Sequence, residues 1–151
     1  MIFVTVGTAF YDPLICQIDS LVEQGLITDP VVAQIGRGQY IPKNFSYFRF
    51  LRNLDRAYSL AEVIVSTGGA GTTMECVTKG LKLVVVENTS LAEGHQAQLI
   101  GEMERRGHLI WCKDLKSIRS DIESAKNTVF QPVKSDPPLI HKYIIKLLST
   151  R

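Results

Sequence analysis

Val63-Ile64-Val65-Ser66-Thr67-Gly68-Gly69-Ala70-Gly71-Thr72-Thr73-Met74-Glu75 is the stretch whose reading decides the fold. An apolar, β-branched run reads as a buried strand, stops at a glycine-rich turn, and passes into a helix expected over 71–79. Glycines let main-chain N–H groups come close to a ligand, and a helix start adds unpaired donors and a partial positive charge. That combination holds a phosphate without a metal or a lysine. Glu75, one turn further on, is placed to accept hydrogen bonds from two neighbouring hydroxyls such as those of a ribose. The local chemistry is that of a nucleotide diphosphate site.

Other readings of the same residues stay open at this level. The turn is neither G-x-G-x-x-G nor a P-loop, because no Gly-Lys-Ser/Thr follows. A glycine turn between strand and helix also serves as a plain tight connection. Thr72-x-x-Glu75 fits a capping box, in which the glutamate reaches back to the Thr72 N–H.

Outward from this stretch, short apolar strands alternate with helices. Strands are expected over 2–6, 31–35, 47–51, 63–66, 83–86 and 108–111. Helices are expected over 13–23, 53–61, 71–79, 93–106 and 114–124, the first with Leu14, Ile18, Leu21 and Val22 inward. Strands apolar throughout and separated by helices predict an α/β fold, a Rossmann-like parallel sheet covered on both faces. Ligands of such sheets bind beyond the carboxyl ends of the strands. The turns at Gly7-Thr8, Gly36-Arg37-Gly38 and Gly68–Gly71 all follow strands and should gather at that edge. Residues 1–130 read as this domain. Residues 131–151 read as a Pro-rich loop and a helix over 139–148, packing on the domain or on a partner.

With 151 residues, 45% of them hydrophobic and 21% charged, the chain is long enough for one domain with a real core. A net charge of +2, with scattered Lys and Arg, gives no basis for a nucleic-acid partner. No apolar run reaches the roughly 18 residues that span a bilayer, and the start carries no basic signal region. A cytoplasmic protein is expected. Cys16, Cys76 and Cys112 are widely spaced, so neither a disulfide framework nor a zinc site is indicated. Cys76, beside the glycine turn, reads as a small buried hydrophobe rather than a nucleophile.

In the order and spacing of five segments the chain resembles the C-terminal, UDP-sugar-binding half of GT-B glycosyltransferases of family 28, the type that builds peptidoglycan lipid II from UDP-GlcNAc. It is similar also to the free-standing small subunits of two-part UDP-GlcNAc and exopolysaccharide transferases. The segments are Phe3-Val4-Thr5-Val6-Gly7-Thr8, Gln34-Ile35-Gly36-Arg37, residues 50–63, residues 66–75, and Asn88 through Gln98. The resemblance implies that main chain near Phe50 and Leu51 holds uracil. It implies that Gly69, Ala70, Gly71 and Thr72 hold the diphosphate and that Glu75 binds the ribose. Gly7 and Thr8 would approach the phosphates and acceptor, and Asn88, His95 and Gln96 would orient the sugar. Arg37 would add positive charge or simply be a solvated loop residue. The lipid II enzymes carry two adjacent glutamines where this chain has Gln96 followed by Ala97, so the identity of the sugar is left open.

No catalytic base is identified. His95 is the one side chain raised for that role, and it stands where the family places a donor contact. No Asp-x-Asp motif is present, so no metal or other cofactor is expected. What the resemblance implies is the donor-binding subunit of an inverting transferase. Its partner would be a membrane-associated, acceptor-binding subunit, its acceptor a lipid-linked glycan, and its place the membrane periphery through that partner. The competing classes are a nucleotide-sugar epimerase or hydrolase and a non-catalytic nucleotide-binding or interaction module.

Overall fold

The computed structural model describes residues 1–90, 95–133 and 145. The expected helix over 139–148, and all of the 131–151 segment beyond residue 133 except residue 145, lie outside the described residues. The elements run β1 (Ile2–Thr5), α1 (Asp12–Glu23), β2 (Val31–Gln34), β3 (Ser46–Phe48), α2 (Asp55–Leu60) and β4 (Val63–Thr67). They continue with α3 (Ala70–Thr78), β5 (Leu83–Val86), α4 (His95–Arg105), β6 (Ile110–Cys112) and α5 (Ile118–Lys126). All strand pairs are parallel, in the order β3-β2-β1-β4-β5-β6.

Alternation along each strand divides the core between the two faces of the sheet. Ile2, Val4, Val63, Val65, Val84 and Val86 pack against Leu14, Ile15 and Ile18 of α1 and Ile118 and Ile122 of α5. Phe3, Ile64, Leu83 and Val85 pack on the other face against Tyr58 of α2, Cys76 and Val77 of α3, and Leu99, Ile100 and Met103 of α4. The expected α/β sandwich is therefore the observed one.

Several boundaries differ from the sequence reading. β3 ends at Phe48 rather than residue 51. The Ile35 and Gly36 N–H groups still bond to Phe48 O and Arg49 O, but β2's chain then turns away at Gly36 (φ +55°), leaving Phe50 and Leu51 without a neighbour strand and exposed. β6 starts at Ile110 rather than residue 108, because Gly107 (φ +77°) and the His108 N–H, bonded to Met103 O, still close off α4. The helix expected from residue 114 opens as a 3-10 turn, Leu115–Ser117, capped by the Asp114 carboxylate on the Lys116 N–H at 2.9 Å.

Neighbouring β1 and β4 have their following helices, α1 and α3, on opposite faces of the sheet. A crevice between their carboxyl ends is the geometric consequence. Thr5 stands level with Ser66 across that pair, so the turns after both strands open at the same height.

Candidate functional site

A cleft of about 530 Å³ opens at this switch point. Its lining includes Thr5, Gly7 and Thr8 after β1, Gln34 of β2, Leu51 to Asp55 leading into α2, Thr67, Gly69, Gly71, Thr72 and Glu75 from β4 and α3, and Gln96 of α4.

The glycine turn has a division of labour. A Cβ on Gly68 would lie 2.5 Å from Ile100 Cδ1, so this position is glycine to let α4 pack closely. A Cβ on Gly71 would meet nothing within 4 Å, and Gly71 lines the open cleft. α3 begins at Ala70, and its first bond runs from the Thr73 N–H to Gly69 O at 3.0 Å. The N–H groups of Ala70, Gly71 and Thr72 thus precede any intrahelical acceptor. Helix geometry supplies three donors and the positive end of the dipole at one wall.

The capping box does not form. Gly69, not Thr72, is the N-cap residue, so Glu75 sits one turn too deep to reach a free N–H at the start. Its Oε1 instead accepts from Lys79 Nζ at 2.8 Å, and Lys79 Nζ also donates to Asp55 Oδ1 at 2.8 Å. The Asp55 bond, then the Glu75 bond, raises the Lys79 ammonium above the usual lysine range. Asp55 is held below the usual carboxylate range, chiefly by the same lysine.

The floor is polar where the strands were expected to be apolar. Gly7, at φ +65°, donates its N–H to Thr5 Oγ1 (3.0 Å). Thr5 Oγ1 donates to Gln34 Oε1 (3.2 Å), and Gln34 Nε2 donates to Gly7 O (3.2 Å). Both side chains are buried, and they pin the Gly7 turn. Thr5 and Gln34, together with Arg52, Asn53 and Asp55, are among the cleft residues to which sequence reading gave no role in the site. The signal for the first two was polarity at the ends of otherwise apolar strands.

Of the residues expected in the site, Gly7, Thr8, Leu51, Gly69, Gly71, Thr72, Glu75 and Gln96 line the cleft. Ala70 lies between Gly69 and Gly71 and contributes main chain at the helix start. Phe50 is exposed and lies outside the lining. Asn88 also lies outside it: it is buried, its Nδ2 donates to Phe10 O at 2.9 Å, and its Oδ1 accepts from the Ser90 N–H at 3.0 Å. His95 is the first residue of α4, and the expectation for its side chain lies outside the described residues. Arg37 is an exposed loop residue beyond the lining, its N–H bonded to Ala9 O. Cys76 is fully buried, and burial pushes its thiol up to about 12, in keeping with a small buried hydrophobe rather than a nucleophile.

Four similarities place this geometry among known proteins. Residues 1–114 match the model of the glycosyltransferase family 28 C-terminal domain. The chain is 36% identical over 122 residues to the UDP-N-acetylglucosamine transferase subunit ALG13 of Homo sapiens, covering 74% of this chain and 11% of that protein. It therefore spans about a tenth of that relative's length. Among solved structures, MurG of Acinetobacter baumannii superposes with a TM-score of 0.63 at 18% identity, covering 99% of this chain and 49% of the other. An NMR solution structure of ALG13 superposes with a TM-score of 0.61 at 15% identity, covering 96% and 94%. The fold is thus one half of a GT-B architecture, and the chain belongs to the family of glycosyltransferase family 28 C-terminal domains.

Proposed function

We propose that this chain binds a UDP-sugar, UDP-GlcNAc foremost, as the donor half of a two-component inverting glycosyltransferase. The observation that carries the reading is the cleft wall made by α3, where three N–H groups with no intrahelical acceptor and the Glu75 carboxylate stand one turn apart. A diphosphate would lie on the amides of Ala70, Gly71 and Thr72, and the ribose hydroxyls would donate to Glu75. Stabilising the departing UDP is an electrostatic task that preorganised amides perform well. The human relative, a UDP-N-acetylglucosamine transferase subunit, supports the same donor.

In this reading the acceptor is a lipid-linked glycan held by a membrane-associated partner chain, which also supplies the base. The chain itself sits at the cytoplasmic membrane face through that partner. No helix among the described residues is long and apolar enough to cross a membrane. Donor binding by main-chain amides is proposed to need no divalent cation.

Titration calorimetry with UDP-GlcNAc, UDP-glucose and a dinucleotide tests the reading. UDP-GlcNAc is expected to bind, EDTA to leave the affinity unchanged, and Glu75→Ala to weaken it by about tenfold or more, the worth of a charge-assisted hydrogen-bond pair. Absence of nucleotide binding would favour the interaction module instead. Transfer of sugar by the purified chain alone at ordinary enzymatic rates would overturn the two-component version.

Gly71 offers a second test, because it separates binding from folding. Gly71 lines the cleft, and an added Cβ would have no atom of the described residues within 4 Å. Gly71→Ala is expected to raise stability by roughly 0.5–1 kcal/mol, as glycine within a helix is costly. The same methyl should weaken UDP binding by about tenfold by holding the phosphate off the amides, a loss of one main-chain hydrogen bond. A variant that melts higher and binds UDP unchanged would show that no phosphate approaches this turn.

A further inference from the structure

We propose that Lys79 is a positioning residue for the donor site: it ties the start of α2 to α3 and fixes the Glu75 carboxylate toward the cleft. This rests on the ribose role of Glu75 argued above. Lys79 itself is outside the cleft lining, whereas both of its carboxylate partners, Asp55 and Glu75, are part of it. The lysine therefore works from behind the wall.

Its place is set from three sides. Glu75 is one helical turn away on the same face of α3, at 2.8 Å. Asp55, the first residue of α2, comes from a different element, also at 2.8 Å. The ammonium also stands 5.5 Å from the centroid of the Tyr58 ring. Tyr58 is buried and meets Phe3 of β1 edge-on at 5.9 Å, so the cation is referenced to the core of the sheet rather than to a loose surface.

This network contributes little to stability. The side chains of Lys79 and Asp55 are 42% and 64% exposed, a regime in which ion pairs are weak. Its consequence is geometric and electrostatic. Lys79 occupies one side of Glu75 Oε1, leaving Oε2 and the remaining Oε1 lone pair for two hydroxyl donors. It also offsets two negative charges that would otherwise face an incoming diphosphate together. Without it, Asp55 and Glu75 have one counter-charge fewer at the mouth and no common tether.

Calorimetry of the full chain with UDP and with 2′,3′-dideoxy-UDP, alongside thermal melts, tests the proposal. Lys79→Met is expected to weaken UDP binding about five- to tenfold, between the effects seen for exposed ion pairs and for charge-assisted hydrogen bonds. The affinity for dideoxy-UDP, which keeps the diphosphate but lacks the hydroxyls that Glu75 would hold, should fall in Lys79→Met by clearly less than the affinity for UDP does. Lys79→Arg should recover most of the UDP affinity, and Asp55→Asn should lose part of it. Equal UDP affinity in the parent and Lys79→Met would overturn the proposal. So would an equal loss for both nucleotides, which would mean direct phosphate contact or general damage. A parent chain that binds no UDP would remove the ribose role of Glu75 itself and this inference with it.

Discussion

Gly36→Val is expected to destabilise the domain by about 4 kcal/mol, a melting-temperature drop of about 10–15 °C in a chain of this size. Gly36, two residues beyond β2, has φ +55°, where a β-branched side chain is strained. Space is the larger problem. An added Cβ would lie 2.2 Å from Ala9 O, 3.1 Å from Gly7 O and 3.2 Å from Val6 Cγ2. Those oxygens belong to the turn after β1, which cannot retreat, because Ala9 O accepts the Arg37 N–H at 2.9 Å and Gly7 O accepts Gln34 Nε2. Gly25 is the control. Its φ of +69° is similar, but nothing lies within 4 Å of its Cβ. Gly25→Ala should cost only about 1 kcal/mol, the conformational part alone. Chemical denaturation of both variants measures the difference. Equal losses would show that strain, not close approach, governs Gly36.

The second large effect is expected at Asp19. This carboxylate is buried in the middle of α1, where an apolar residue would ordinarily stand. It accepts from the Tyr40 hydroxyl at 2.7 Å, the Lys43 N–H at 3.0 Å, and the Asn44 N–H and Nδ2 at 2.9 and 3.1 Å. Asp12 holds the same loop from the other end, accepting the Gln39 and Tyr40 N–H groups at 3.1 Å each. Asp19→Ala would strand these donors, at about 3 kcal/mol in total, and Asp19→Asn should cost less because one acceptor remains. Burial by itself raises the Asp19 carboxyl, but the bonds from Lys43, Tyr40 and Asn44 together hold it below the usual carboxylate value. A carboxyl lowered by folding contributes stability that is present above the unfolded value near 3.9 and is lost as pH falls through the folded one. The parent should therefore lose stability below about pH 4 more steeply than Asp19→Ala, as denaturant titrations at several pH values would show. Parallel curves would exclude Asp19 as the titrating group.

Both sites show how sequence-level signals divide. Gly36-Arg37-Gly38 was legible as a turn after a strand, and it does stand beside the Gly7 turn. Its glycines, however, serve close packing: Gly36 against Ala9 O, and Gly38 against Asp12 Oδ1 at 2.4 Å from a hypothetical Cβ. Gly69 and Gly71 in the Gly68–Gly71 turn do line a cleft. Nothing in the two sequences distinguishes these uses, because what a glycine faces is set by another segment. Asp19 was invisible for a related reason. A lone carboxylate on a helix reads as solvated unless the loop that covers it is known.

The residue pattern alone determined the order and type of the elements, the parallel sheet with both faces covered, and the glycine turn opening α3. Each of these follows from a periodicity of two or 3.6, or from backbone freedom at one residue, and such preferences act over a few positions. Tertiary structure alone decided that Thr5 and Gln34 form the floor and that Asn88 turns inward. It alone decided that Glu75 pairs with Lys79 rather than with its own helix start, and that Asp55 joins them from the start of α2. Those partners are brought together by strand order and register, which depend on the whole sheet closing at once.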